Sequence, residues 1–418
     1  MTQELTTQCC IAGGGPAGLM AGFLLARAGV DVVVLEKHQD FFRDFRGDTI
    51  HPSTLELMYE LGLIEDFLKV PHNAAETLSA VFGDEEVQIA DFRHLPSHCK
   101  FLAIMPQWDF LNFLATKARD YPTFRLLMEG EVDDLIIEKD VVRGVTASVA
   151  SGSVRVMADL VIGADGRSST VRKKAGLIPQ ELGAPIDVLW FRLSRKLDDA
   201  PATMGRFAAG HLLVQINRGD YWQCAYVIPK GEFEAVKTAG LEQLRQTIQS
   251  LLPNLPGRTQ ELNDWEHIKL LTVQVNRLEK WWRPGLICIG DAAHAMSPIG
   301  GVGVNLAVQD AVAAANALAE PLRSGGPIED ALEAVQRRRM WPTRVTQQLQ
   351  LIIQDRLLKP LLASKTLPEI PLPLRVFQEL PVLSRLPARL LGLGVRPEHI
   401  RTPDVLASGG GRPAADTQ

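Results

Sequence analysis

Glycines at 13, 15 and 18, with an acid at 36, are the first residues whose types and spacing suggest chemistry. Gly13-x-Gly15-x-x-Gly18 lets the chain turn tightly, lets backbone approach a pyrophosphate, and lets a helix pack close to a sheet. The anion gains unpaired N–H groups and the positive end of the helix dipole. Glu36 closes the next apolar run, where a carboxylate can accept hydrogen bonds from ribose hydroxyls. Ala17, inside the turn, and Lys37, beside the acid, join the expected nucleotide-binding set. Glycine spacing alone is weak evidence. Its register with an apolar strand at 9–12, a helix at 19–28 and a second strand at 32–35 makes a βαβ unit and implies a bound dinucleotide.

A second constellation lies far along the chain. Asp291 follows an apolar strand at 286–289, which places its carboxylate for a ribitol hydroxyl. Pro298 then stiffens the approach. Gly300, Gly301 and Gly303 allow backbone to run along a flat ring and open a helix near Gly303, with Val304 and Asn305 in its first turn. Helix N–H groups there can face the O2/N1 edge of an isoalloxazine, which becomes anionic on reduction. A further apolar strand at 159–164 ends in Asp165-Gly166. Three distant strands ending in Gly/Asp turns imply one parallel sheet.

Elements between these turns must position them. The stretch 132–156 reads as a β-meander broken by Gly144 and Gly152. Runs at 211–216 and 221–227 flank a hairpin turn at 217–220. The stretch 304–322 is alanine-rich, helical and expected inside. An amphipathic helix is expected over 349–362, with Pro360 ending or kinking it near Lys359. The tail dissolves into Gly409-Gly410-Gly411.

The whole chain has 418 residues, of which 46% are hydrophobic and 22% charged, enough for one large core or two coupled ones. Lys+Arg total 44 and Asp+Glu 49, a net charge of -5 that offers no basic field for nucleic acid. The cysteines at 9, 10, 99, 224 and 288 contain no Cys-x-x-Cys, which argues against a disulfide scaffold, a zinc knuckle or a dithiol centre. Cys9 and Cys10 read as core thiols, no metal is expected, and a reducing, cytoplasmic setting fits. No apolar run approaches the roughly 20 residues of a membrane span. The polar opening at 1–8 lacks a leader pattern, so stable membrane insertion is not expected.

With these motifs in order, the chain resembles the class A flavoprotein monooxygenases of the para-hydroxybenzoate hydroxylase type over roughly residues 8–400. The resemblance implies an α/β fold: a glutathione-reductase-like, Rossmann-type FAD-binding domain, an interleaved mixed or antiparallel substrate sheet, and a C-terminal helical segment. The expected boundaries are 1–71, 99–179 and 276–345 for the FAD-binding domain and 72–98 with 180–275 for the substrate domain. The helical segment is 346–405, and a disordered tail covers 406–418. By resemblance the first glycine turn holds the ADP part of non-covalent FAD. Asp165-Gly166 supports the pyrophosphate region and is implicated in NAD(P)H use, and Asp291 contacts the ribityl chain. Arg46, in Arg46-Gly47, approaches the FAD phosphates, and Gln107, after Pro106, touches the cofactor at a helix start. The implied reaction is NAD(P)H- and O2-dependent hydroxylation of an aromatic or conjugated small molecule through a flavin C4a-hydroperoxide. A desaturating or reducing flavoenzyme, or a halogenase, is the alternative. The halogenase signature Trp-x-Trp-x-Ile-Pro is absent, and Trp281-Trp282-Arg283-Pro284 does not match it. No thioredoxin-like extension fits in this length. Monomer and homodimer both remain open.

Because the cofactor carries the chemistry, no catalytic triad is required, and none is readable. Pro298, His51 and Gln223 are the residues expected nearest the reaction. His51 reads either as a pocket residue or as a structural one, and His294 as a brace within its loop ahead of a catalytic proton role. Tyr221, Gln223 and Arg192 are candidates for a pocket wall or a solvated sheet face. Trp190, Phe191 and Trp222 read as core, and Arg337-Arg338-Arg339 as a solvated helix face with a weak case for steering phosphate.

Overall fold

A computed structural model of the chain describes residues 2–42, 49–199, 204–366 and 369–408. The centre of its largest sheet is built from apolar strand segments buried on both faces. The strand β1 (Thr2–Ala12) pairs in parallel with β2 (Val32–Glu36) on one side and β3 (Gly152–Gly163) on the other. Beyond β3 lies β4 (Leu286–Cys288), also parallel, and beyond β2 lies Phe124–Met128. Every residue of β2 is buried, as expected of a parallel strand covered on both sides. Strand β1 begins well before the expected 9–12, because the first half of β3 pairs with it from Thr2 onward. The same lengthening extends β3 beyond the expected 159–164. The meander Glu131–Glu138, Val141–Val149 and the short strand Trp282–Arg283, antiparallel to β4, complete this eight-stranded sheet.

Helix α1 (Pro16–Arg27) returns the chain from β1 to β2, and its residues Ala17–Ala26 are all buried. Beside it packs α4 (Gly303–Ser324), reached after α2 (Pro52–Glu60) and α3 (Gln107–Ala118). The stretch Ile299–Ser324 has a mean hydropathy of 1.3 over its most apolar window, long and apolar enough to cross a bilayer. That corrects the expectation that no apolar run is so long. However, 78% of that window is buried in the protein and it carries Asn305, Gln309 and Asp310, so it is a core helix here.

A seven-stranded sheet forms a second layer, ordered Lys269–Leu271, Ile186–Ser194, Tyr221–Pro229, His211–Asn217, Met204–Ala208, Thr77–Phe82, Glu85–Asp91. The expected hairpin is present, with Leu213 opposite Tyr226 and Gln215 opposite Cys224. Its two faces have different neighbours. Phe191, Trp222, Cys224 and Tyr226 pack on the helix Leu241–Leu251. On the other face Val188, Ala225 and Val227 meet Leu358, Leu361 and Ile299. Alternation therefore puts Gln223 on the face that looks toward the Gly300 loop, and Gln215 on the opposite one. Phe191 and Trp222 are core as expected, whereas Trp190 is only partly buried.

Helix α5 (Glu329–Ile353) does not stop before Pro360. A widened π turn, Gln354–Leu358, leads into a further helix, Lys359–Ala363, so the missing proline N–H is absorbed without breaking the rod. The segment ends in a helical turn, Val405–Ser408; residues 409–418 of the expected tail lie outside the described residues.

Candidate functional site

All three Gly/Asp turns sit at the carboxyl ends of neighbouring parallel strands, where ligands of open α/β sheets bind. The Ala164 N–H donates to the Ala12 carbonyl at 2.8 Å, and the Ile289 N–H to Gly163 at 2.9 Å, so the strand ends are locked side by side. A Cβ on Gly13 would fall 2.4 Å from the Ala164 oxygen, and one on Gly18 only 1.9 Å from the Gly13 oxygen. Both glycines serve the close approach of protein to protein. Gly15 differs: a Cβ there would meet no protein atom within 4 Å. The open space faces the start of α1, whose Gly15 cap makes no side-chain hydrogen bond, so first-turn N–H donors remain for an anion. A pyrophosphate fits that cradle. The far turn reaches it too, since a Cβ on Gly290 would lie 3.0 Å from the Ala17 side chain.

Glu36 is buried at the end of β2, where Oε2 accepts from Gly14 N–H at 2.9 Å. Its Oε1 accepts from His38 N at 3.1 Å and lies 2.6 Å from His38 Nδ1. The acid shapes the glycine turn as well as offering lone pairs to a ribose. Lys37 projects outward, 3.8 Å from Glu131. Gln107 is the buried first residue of α3. Arg46 lies outside the described residues.

Asp165 faces its own loop. Its carboxylate accepts from Ser169 Oγ at 2.5 Å and from Val171 N–H at 3.0 Å. Burial raises its pKa above the ordinary carboxylate value despite these donors. Asp291 instead meets Arg167 Nε at 3.1 Å across the gap between the second and third turns. Arg172 fastens the same two turns, donating to Ala292 O at 3.0 Å and Arg167 O at 2.6 Å. Nothing in the sequence pattern singled out Arg172; it opens the basic run Arg172-Lys173-Lys174 of a short helix after the Asp-Gly turn, and that run alone does not tell which member turns inward.

The loop 294–303 is held from several sides. Asn305 joins it to the segment before α2: Oδ1 accepts from His51 N–H and Thr54 Oγ, each at 2.8 Å, while Nδ2 donates to Thr49 O at 3.1 Å and Gly301 O at 3.3 Å. Gly300 and Gly301 both adopt left-handed backbone, and a Cβ on Gly301 would strike Thr49 Oγ at 2.1 Å. Pro298 caps the short turn Ile299–Gly301, and Gly303 and Val304 open α4, as the sequence implied. His51 is buried with Nδ1 2.7 Å from the Leu391 carbonyl, and burial lowers its pKa to about 4.

His294 is a brace. Its Nε2 lies 2.5 Å from Asp310 Oδ2, which also accepts from Gly290 N–H at 3.1 Å. Arg339 Nε donates to the other oxygen at 2.9 Å and its Nη1 reaches Glu398 at 3.3 Å. Burial alone would raise the Asp310 pKa, yet His294 and Arg339 hold it below its ordinary value. Arg339 therefore corrects the reading of residues 337–339 as a solvated face. Consecutive helical residues point about 100° apart, and this one points into the core.

On the second sheet Arg218 Nε donates to the buried Gln223 Oε1 at 3.1 Å, and Arg192 lies 4.7 Å from the Tyr221 ring centroid. The five cysteines are free and buried, and among the described residues no cluster of His, Cys, Asp or Glu is arranged for a metal.

The sequence matches the family described as FAD binding domain over residues 6–349. It is 34% identical over 358 residues to the 6-methylpretetramide 4-monooxygenase of Streptomyces rimosus, covering 84% of each chain. Among solved structures, p-nitrophenol 4-monooxygenase PnpA from Pseudomonas putida DLL-E4 superposes with a TM-score of 0.72 at 20% identity, covering 94% of this chain and 96% of that one. The flavin-dependent brominase Bmp2, as a triple mutant, gives 0.73 at 19% identity, covering 96% and 98%. The glycine cradle, the aligned strand ends and these matches agree: the chain belongs to the FAD-binding-domain family, as a member of the class A FAD-dependent aromatic monooxygenases.

Proposed function

We propose that the protein is a para-hydroxybenzoate-hydroxylase-type monooxygenase that uses NAD(P)H and O2 to hydroxylate an aromatic or conjugated small molecule. The observation that carries this reading is the convergence of the three Gly/Asp turns on one sheet edge, beneath the face of the second sheet that bears Gln223. Bound FAD supplies hydride acceptance and oxygen activation. The chain's own residues bind and orient. Gly15 and the first turn of α1 take the pyrophosphate, Glu36 the ribose, and Asp291 a ribityl hydroxyl in exchange for Arg167. Gln107 and, through residue resemblance, Arg46 complete the cofactor set, with Lys37 and Asp165 at its margin.

Pro298 and the backbone to Gly303 form one wall of the reaction space, and Gln223 with Tyr221 and Arg192 the other. His51 acts by fixing where that wall stands. Its tie to Leu391 and to Asn305 makes it a positioning group. The apolar residues Ile299, Ala225 and Val227 keep water from the space between. Domain limits of 1–71, 99–179 and 276–345 against 72–98 and 180–275 belong to this proposal, as do the cytoplasmic setting and the monomeric or homodimeric state.

The test is oxygen labelling. With 6-methylpretetramide and para-nitrophenol heading a substrate panel, substrate-stimulated NAD(P)H oxidation should place one atom of 18O2 in the product. Product formed without oxygen uptake would move the protein to the desaturating or reducing class. Halide-dependent product would move it to the halogenases, with which it shares the fold.

A further inference from the structure

Three buried glutamines on one face of α5 and its π turn grip the loop that precedes α4. Gln350 makes a peptide-like clamp: Oε1 accepts from Ser297 N–H at 3.1 Å, and Nε2 donates to the carbonyls of Ser297 and Ile299, each at 2.9 Å. One turn earlier, Gln347 Nε2 donates to Asn276 O at 2.7 Å and Ala295 O at 3.0 Å, while its Oε1 accepts from Arg277 at 2.7 Å. One turn later, Gln354 Nε2 donates to Ser297 Oγ at 2.7 Å. All three side chains are nearly fully buried. Spacings of three and four residues set them in a row, and their contacts fall on 295, 297 and 299 of the loop.

Such a row is an expensive way to fill a core. Each buried amide must be matched or the cost of its desolvation stands, as it does for Gln354 Oε1, and an apolar residue would pack there at less risk. What amides give instead is register, because a clamp with two donor bonds and one acceptor bond fixes both the height and the tilt of a peptide. The peptide fixed here is the one before Pro298, which has no N–H of its own to anchor it. The same helix continues into Leu358 and Leu361, which pack on the face of the second sheet carrying Ala225 and Val227. Thus a single rod, joined by the π turn, references the loop to the opposite wall.

We propose that Gln350, supported by Gln347 and Gln354, is the positioning residue that sets where the 297–301 backbone stands relative to the flavin ring. By doing so it sets how much reduced flavin is spent on product and how much on hydrogen peroxide. This rests on the reading of the site as an FAD monooxygenase.

The test compares Gln350→Leu, Gln350→Glu, Gln354→Ala and, as a control, the exposed Gln348→Leu on the same helix. In the apoprotein, hydrogen exchange of the peptide spanning 296–301 should accelerate at least tenfold in Gln350→Leu, while that spanning 13–18 stays as in wild type (1.4 kcal/mol is one factor of ten, and the three buried bonds lost together, at about 1–3 kcal/mol each, exceed it). In the FAD-loaded protein the visible band should change shape and the reduction potential should shift. The peroxide share per NAD(P)H should rise several-fold, with kcat for product falling more than the substrate KM rises. Gln354→Ala should show the same changes in smaller degree, and Gln348→Leu none. Unchanged exchange, spectrum, potential and peroxide share in folded Gln350→Leu would overturn the proposal. If that variant does not fold, the same null result in Gln350→Glu and Gln354→Ala would do so. A wild-type protein that takes up no FAD would instead sink the functional reading itself.

Discussion

Replacing Gly15 by valine separates what the fold needs from what the ligand needs. At Gly13 and Gly18 a side chain collides with backbone, so substitution there harms the protein whatever it binds. At Gly15 the backbone has φ -75 and ψ -174, open to any residue, and no protein atom lies within 4 Å of an added Cβ. The apoprotein should therefore lose no more than about 1 kcal/mol, the scale of a poorer helix cap. The valine methyls instead occupy the volume assigned to a phosphate. Losing two N–H bonds to a charged group, at about 1.5–3 kcal/mol each, weakens FAD binding by roughly 3–6 kcal/mol, or about 10²–10⁴-fold. Thermal unfolding of the apoprotein with FAD titration by fluorescence quenching measures both terms. A Gly15→Val protein that is stable and binds FAD with wild-type affinity would remove the phosphate from this cradle, because the open volume would then have no ligand in it.

Asp291→Ala should weaken FAD by about 10–100-fold through one lost ribityl hydrogen bond, and should leave Arg167 without its 3.1 Å partner; equal affinity in equilibrium dialysis would remove Asp291 from the site. Arg339→Met leaves Asp310 buried without its guanidinium, which should cost about 3–5 kcal/mol in denaturant unfolding, and a loss below about 1 kcal/mol would contradict the brace. His51 takes a proton at 6.5 in its ordinary state and at about 4 when buried, so the unfolded chain binds more protons between those values. Its contribution is complete above pH 6.5 and is lost as pH falls to 4, about 3 kcal/mol in all. Wild type should thus lose that much more stability than His51→Gln across the window, and parallel stability curves would argue against it.

Turns and strands were legible in the sequence because their signals are local. Gly13, Gly15, Gly18, Asp165 and Asp291 each follow an apolar run, and the hairpin at 217–220 sits between two alternating ones. What holds the site was not legible. Asp310, Arg339, Gln350 and Arg172 look like ordinary polar residues of helices, and only the three-dimensional packing around α4, α5 and the short helix Thr170–Lys174 shows that they are buried and bonded to distant parts of the chain. The run 337–339 misled for the same reason, since sequence adjacency hides a change of face at every helical residue. The length of β1 was missed because its first half is polar apart from Leu5, and that of β3 because its first half alternates polar and apolar residues; both read as surface until the partner strand is known.

A crystal structure of the protein grown with FAD would show whether the three turns meet on one ligand. A single FAD is expected, with its pyrophosphate over Gly15 and the first turn of α1 and its ribityl chain passing Asp291. Density for the pyrophosphate at Gly15 with a ribityl chain that runs nowhere near Asp291, or FAD seated elsewhere on the protein, would contradict it.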